Sequence, residues 1–127
     1  MRRRARDDDG RGRITGIGGV FFRADDREAL ATWYRDTLGL PVTDSATAKL
    51  GGTVWAAFAR DTPYFGPTSQ ELMINYRVDD LDAALSSLRA AGAFVSSHVE
   101  EDSYGRFGWA VDPEGNRFEL WEPTEGS

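Results

Sequence analysis

Residues 79–95 read DDLDAALSSLRAAGAFV, and residues 25–42 read DDREALATWYRDTLGLPV. Each stretch opens on an aspartate pair, runs through a helical segment, meets a glycine and closes on a valine. The offset is 54 residues at the aspartate pairs and 53 at the closing valines. Self-similarity at a fixed offset marks a duplicated supersecondary unit. Leu30, Trp33, Tyr34 and Leu38 share one face of the first helix, and Leu81, Ala84, Leu85 and Leu88 share one face of the second. Asp25 with Glu28, and Asp79 with Asp82, have the spacing of capping arrangements, with acid favoured at the positive end of the helix dipole. Gly39 and Gly92 sit where a left-handed C-cap is wanted.

Working outward, a strand precedes each helix: Ile14 to Arg23 and Leu72 to Val78. Strands are also expected after each helix. In the second half they fall at Phe94 to Val99, Arg106 to Val111 and Arg117 to Trp121, separated by the turn signals Ser103-Tyr104-Gly105 and Asp112 to Asn116. In the first half they are shorter: about Pro41 to Asp44, a weak piece near Ala48 to Leu50, and Thr53 to Arg60. The pattern is βαβββ twice, an α+β domain over residues 14–123. Module 1 covers about 14–61, a connector 62–70, and module 2 about 71–123. Residues 1–13 are expected to form a flexible basic leader and 124–127 a tail.

The 127 residues suffice for one domain with a real core. No window approaches the ~18 apolar residues that cross a bilayer, and no apolar run follows the N-terminal arginines to make a secretory signal. With no cysteine there is no disulfide frame, thiolate nucleophile or cysteine metal site. A cytoplasmic location is expected. Net charge is −6, and the leader MRRRARDDDGRGR carries +3, which leaves −9 on the body. That acidic body argues against a large nucleic-acid surface. The GIGG at residues 16–19 continues a strand and is a weak match to any dinucleotide fingerprint.

The motifs ALATWYRDTLGLPV, YRVDDLDAALSSLRAAGA and DPEGNRFELWEP, in that order, resemble the vicinal oxygen chelate superfamily. This group includes glyoxalase I, extradiol dioxygenases and bleomycin-resistance proteins. The resemblance implies curved mixed sheets enclosing a central cleft, with the helices outside. It also implies a metal site built from His, Gln or Glu at four equivalent strand positions. Carried onto this sequence, those positions are Gly19 (or Gly18), Met73, Trp55 and Glu119. Only Glu119 is a ligand for a hard cation; glycine has no side chain, indole no lone pair, and a thioether is a poor partner. No metal ligand set and no cofactor are expected, and a divalent metal is disfavoured. The sole histidine, His98, matches none of the positions and is expected at the surface.

Strand alternation then assigns a lining to the implied cleft. Ligand-binding candidates are Phe21, Trp55, Met73, Asn75, Arg77, Trp109, Arg117 and Trp121. Large rings with a few convergent polar groups suit a small-molecule pocket, the reading the implied fold favours over a filled core. Glu119 has three readings: an ion pair with Arg77 or Arg117, a ligand-contacting carboxylate, or a catalytic general base with a pKa raised by an apolar cleft. The expected function is metal-independent binding of a small aromatic or amphipathic molecule. The alternatives are a superfamily enzyme (lyase, isomerase or dioxygenase) using Glu119 as metal ligand or base, and an interaction module. The resemblance implies a homodimer; no membrane partner is expected.

Overall fold

The computed structural model describes residues 12–43 and 45–124. The element order is β1 (Ile14–Ala24), α1 (Arg27–Leu38), β2 (Thr47–Leu50), β3 (Thr53–Ala59), β4 (Leu72–Val78), α2 (Leu81–Ala90), β5 (Glu100–Asp102), β6 (Gly105–Val111) and β7 (Arg117–Pro123). The described residues form two compact units, 17–75 and 12–16 with 76–124. The division cuts β1 and β4, so each of those strands contributes to both units.

In the unit of residues 17–75, β3 lies between β2 and β1. β1 pairs with β3 in parallel, from Gly19 opposite Val54 to Ala24 opposite Ala59. β2 pairs with β3 antiparallel, closing on Leu50 opposite Thr53 across a two-residue turn. Gly51 takes a positive φ of 62° there, a geometry that glycine adopts without steric cost. α1 packs on one face through Ala31, which meets Ala24, Ala46 and Ala57, with Phe22, Leu30, Val42 and Trp55 around them. Arg27, at the start of α1, donates to the carbonyls of Ala57 (2.7 Å) and Ser45.

In the other unit the strand order is β4-β7-β6-β5. β6 and β7 pair antiparallel from Gly105 opposite Pro123 to Val111 opposite Arg117, across a five-residue turn. α2 covers one face: Leu81, Ala84 and Leu85 pack with Val78 and Leu120, flanked by Tyr76, Leu88, Val95 and Phe118. Gly108 matters here, because a Cβ on it would press within 3.2 Å of Leu85. Truncating Leu81, which is fully buried, would cost ~2–5 kcal/mol.

Both helix caps fall one residue later than expected. Asp26 and Asp80 are the N-caps, accepting from Ala29 N and Ala83 N; each such cap is worth ~1 kcal/mol. The first aspartate of each pair has a tertiary partner instead. Asp25 meets Arg60, and Asp79 accepts from the amides of Gly12 (2.6 Å) and Arg13 (3.0 Å). Gly12 and Arg13, expected in the leader, are therefore held against the fold; residues 1–11 and 125–127 lie outside the described residues. Gly39 is a left-handed C-cap, as expected. In α2 the cap is Ala91, with Gly92 taking the positive φ after it.

The strand expected at Phe94 to Val99 is corrected. Val95 makes one isolated bridge to Ala110, and the strand proper is the short β5 that follows. Val42 likewise makes only a bridge, to Ala48. The two closing valines thus occupy matching places, and β5 is the element that the first half lacks. Among the described residues no helix is long and apolar enough to cross a membrane.

Candidate functional site

In each unit the sheet face opposite its own helix carries the predicted polar and aromatic residues, with the exception of Trp55. On β6 and β7 the register decides the neighbours. Trp109 lies opposite Glu119 and Phe107 opposite Trp121, while Val111 lies opposite Arg117. Phe118 and Leu120 point to α2, so by alternation Arg117, Glu119 and Trp121 share the other face with Phe107 and Trp109. Four of the expected residues, Trp109, Arg117, Glu119 and Trp121, are brought together as predicted by the alternation.

Glu119 is 1% exposed and Trp109 3% exposed, an unusual environment for a carboxylate. The Arg117 guanidinium sits over the Trp109 ring, 5.8 Å from its centroid. Phe107 and Trp121 stack in parallel at 6.0 Å and 4°. The Trp121 Nε1–H donates to the Tyr104 carbonyl at 2.9 Å, which fixes the indole's orientation. The result is an apolar platform with an embedded acid and a cation laid on its central ring.

Phe107 stands two residues before Trp109 and shares its face by alternation, where the expectation favoured Trp109. One member of this group was missed by sequence reasoning. His98 gave no such signal, because it lies in an irregular segment. Its ring stacks on Trp109 at 5.7 Å and 11°.

The other unit carries Phe21, Met73 and Asn75. Phe21 packs against Phe58 (5.5 Å) and Tyr64 (6.3 Å), and Phe58 stacks on Tyr64 at 5.2 Å and 10°. Met73 is fully buried and Asn75 is 2% exposed. Arg77 belongs to the second unit, where its guanidinium lies over Gly16, in the space that a side chain there would fill.

Trp55 is a correction. It was expected to share the face of Phe21, but its indole packs edge-on against Phe22 (5.0 Å) and Tyr34 of α1 (5.4 Å), on the helix side. The cause is turn length. The two-residue turn between β2 and β3 closes on a pair facing α1, whereas the five-residue turn between β6 and β7 closes on a pair facing away from α2. A register shift of one residue flips every side chain of a strand. Val54 and Ala56, not Trp55, occupy the face that Glu119 occupies in the other unit.

These positions do not fit a divalent metal. An ideal Cβ on Gly19 would lie 2.6 Å from Phe21 Cε1, so the space for a ligand side chain is filled by a phenyl ring. Met73 offers a buried thioether, and Val54 and Ala56 have no donor atom. Among the described residues no three of His, Cys, Asp and Glu gather at one point.

The chain belongs to the glyoxalase-like domain family, whose profile matches residues 19–121; the fold is that of the vicinal oxygen chelate superfamily. Among solved structures it is similar to methylmalonyl-CoA epimerase from Mycobacterium tuberculosis, at 20% identity over 87% of this chain and 89% of that one, with a TM-score of 0.69. A methylmalonyl-CoA epimerase in complex with methylmalonyl-CoA and ammonium superposes with a TM-score of 0.70 at 19% identity, over 89% and 97% of the two chains. An NAD-dependent benzaldehyde dehydrogenase structure from Legionella pneumophila matches at 0.61 and 14% identity, over 84% and 98%. At these identities the likeness concerns the fold. No curated protein matches the chain significantly.

Proposed function

We propose that this glyoxalase-like domain binds a small aromatic or amphipathic molecule, without a metal, on the helix-free face of β6 and β7. The observation that carries this reading is the cross-strand register that sets Trp109 beside Glu119 and Phe107 beside Trp121, with Arg117 over the central indole. Stacked rings supply non-directional affinity, and the carboxylate and guanidinium supply orientation. The bound acyl-CoA molecules of the structurally similar epimerases support a small-molecule ligand for this fold. The working unit in this reading is a homodimer in the cytoplasm.

Tryptophan fluorescence and thermal shift against a panel of planar aromatics and acyl thioesters test it. Saturable quenching in the wild type, weakened at least tenfold in Trp121→Ala, is expected. A panel without any saturable response sinks the reading.

A second reading is favoured by the burial of Glu119. A carboxylate at 1% exposure beside an indole is placed to move a proton to or from a bound carbon acid, as an epimerase or isomerase would require. Glu119→Gln separates the readings. A binder keeps most of its ligand affinity in this near-isosteric variant, whereas a catalyst keeps affinity and loses turnover by ~10²–10⁴-fold.

A further inference from the structure

His98 is held over Trp109 by an arrangement that the irregular sequence around it gave no reason to expect. Ser96 N–H donates to the Trp109 carbonyl at 2.9 Å, which ties the segment to β6. His98 N–H then donates to Ser96 Oγ at 3.1 Å, turning the chain back on itself. The imidazole lands parallel to the indole, and its Nε2 lies 2.9 Å from Glu100 Oε2. Glu100 sits opposite Phe107 in the β5–β6 register, so its carboxylate stands beside the aromatic platform.

We propose that Trp109 and Glu100 form a subsite for a flat, N–H-bearing cation, and that His98 fills it in the free protein. The inference rests on the binding reading above and names a chemical class for part of the ligand. Three observations select that class. The groups already laid on Trp109 are an imidazole and a guanidinium, both planar and both N–H donors. An indole face attracts a cation through its quadrupole. The in-plane partner offered by the protein is a carboxylate, which accepts only.

The cover is suited to leaving. The His98 side chain is 64% exposed while the ring beneath it is 3% exposed, so the imidazole gives up little burial when displaced. A ligand that stacks on Trp109 and donates to Glu100 replaces both contacts of His98 at once. Amidines, guanidines and aminated heterocycles have that shape, and planar carboxylates do not.

The experiment compares benzamidinium with benzoate, which has the same ring and the opposite charge. Binding to wild type and to His98→Ala is followed by the Trp109 indole N–H resonance, identified by its loss in Trp109→Phe. Benzamidinium is expected to bind His98→Ala roughly two- to fivefold more tightly than wild type, the range that an exposed, ion-paired cover is worth. Benzoate should gain nothing, and Glu100→Gln in the His98→Ala background should remove the gain. Equal affinity in wild type and variant, an equal gain for benzoate, or a gain that survives Glu100→Gln overturns the proposal. Circular dichroism confirms the fold of each variant, and His98→Ser replaces His98→Ala if the latter does not fold. Panel binding in wild type without a His98→Ala gain keeps the binding reading and removes the subsite; no saturable response to the panel or to benzamidinium, in wild type or variant, removes both.

Discussion

The ring of Phe21 stands in the space that a side chain on Gly19 would need, with Phe21 Cε1 2.6 Å and Cζ 2.8 Å from an ideal Cβ. The two residues are therefore coupled. Gly19→Ala forces the ring off its packing with Phe58 and Tyr64 and should cost ~1–3 kcal/mol, the range of overpacking. Phe21→Ala should cost ~3 kcal/mol or more through lost burial and a cavity. The double variant should cost at least ~1 kcal/mol less than the sum, because alanine at position 21 frees the space for alanine at 19. Chemical denaturation of the four proteins checks this, and strict additivity would mean that the ring moves aside at no cost.

The same crowding governs metal binding. Ni, Zn, Mn and Fe(II), added to protein purified without chelator, are expected to leave Tm unchanged, since nothing that binds tightly to the native state fails to raise it. Gly19→His should not create a site either, because the phenyl ring occupies the path of the new imidazole. A saturable, metal-dependent rise in Tm that is lost in Glu119→Gln would reverse this conclusion.

Arg23 holds the connector between the repeats. Its guanidinium donates to the carbonyls of Gln70 (3.0 Å), Arg60 (2.6 Å), Thr62 (3.2 Å) and Thr68 (2.9 Å) and lies 4.9 Å over the Phe65 ring. A guanidinium fork reaches several carbonyls at once, and an ammonium does not. Arg23→Lys is therefore expected to destabilise by ~2–3 kcal/mol, on the scale of charged hydrogen bonds lost. Proteolysis should accelerate within residues 62–70 before it does elsewhere. Unchanged cleavage there would show that the connector holds itself.

Asp112 gives a pH signature. Its carboxylate accepts from Asn116 N (2.9 Å), Asn116 Nδ2 and Glu114 N (2.9 Å). The Asn116 backbone and side-chain bonds, chiefly, hold its pKa below the usual 3.8. A depressed folded-state pKa stabilises the fold above the unfolded value, and that contribution disappears as pH falls through the folded one. The Tm gap between wild type and Asp112→Asn should be constant at neutral pH and narrow progressively below about 3.8. A gap independent of pH between 6 and 3 would show that the turn does not depend on the charge.

Much of this molecule is legible in its sequence, because local signals and fold agree over most of it. The apolar stripe of Leu81, Ala84 and Leu85 and the alternation of Arg117 to Trp121 each read correctly, since period and burial set them directly. The errors share a cause. Trp55 went to the wrong face because the Gly51-Gly52 turn is shorter than the Asp112 to Asn116 turn, and carrying a strand position from one repeat to the other does not register a change of closing pair. His98 was passed over because hydrogen bonds through Ser96, not any periodicity, aim its ring. Asp25 and Asp79 looked like caps because side chains that bind distant partners, Arg60 and the Gly12 amide, leave no local trace.

The strand β5 carries only Glu100, Glu101 and Asp102, and it ends the strand order at the margin of its sheet. An open strand margin is a template on which other chains can pair. At neutral pH a second copy approaching this one would set carboxylates against carboxylates, so the margin repels its own kind. Salt concentrated enough to screen these charges, or substitution of the three acids, is what would let two chains pair along this margin.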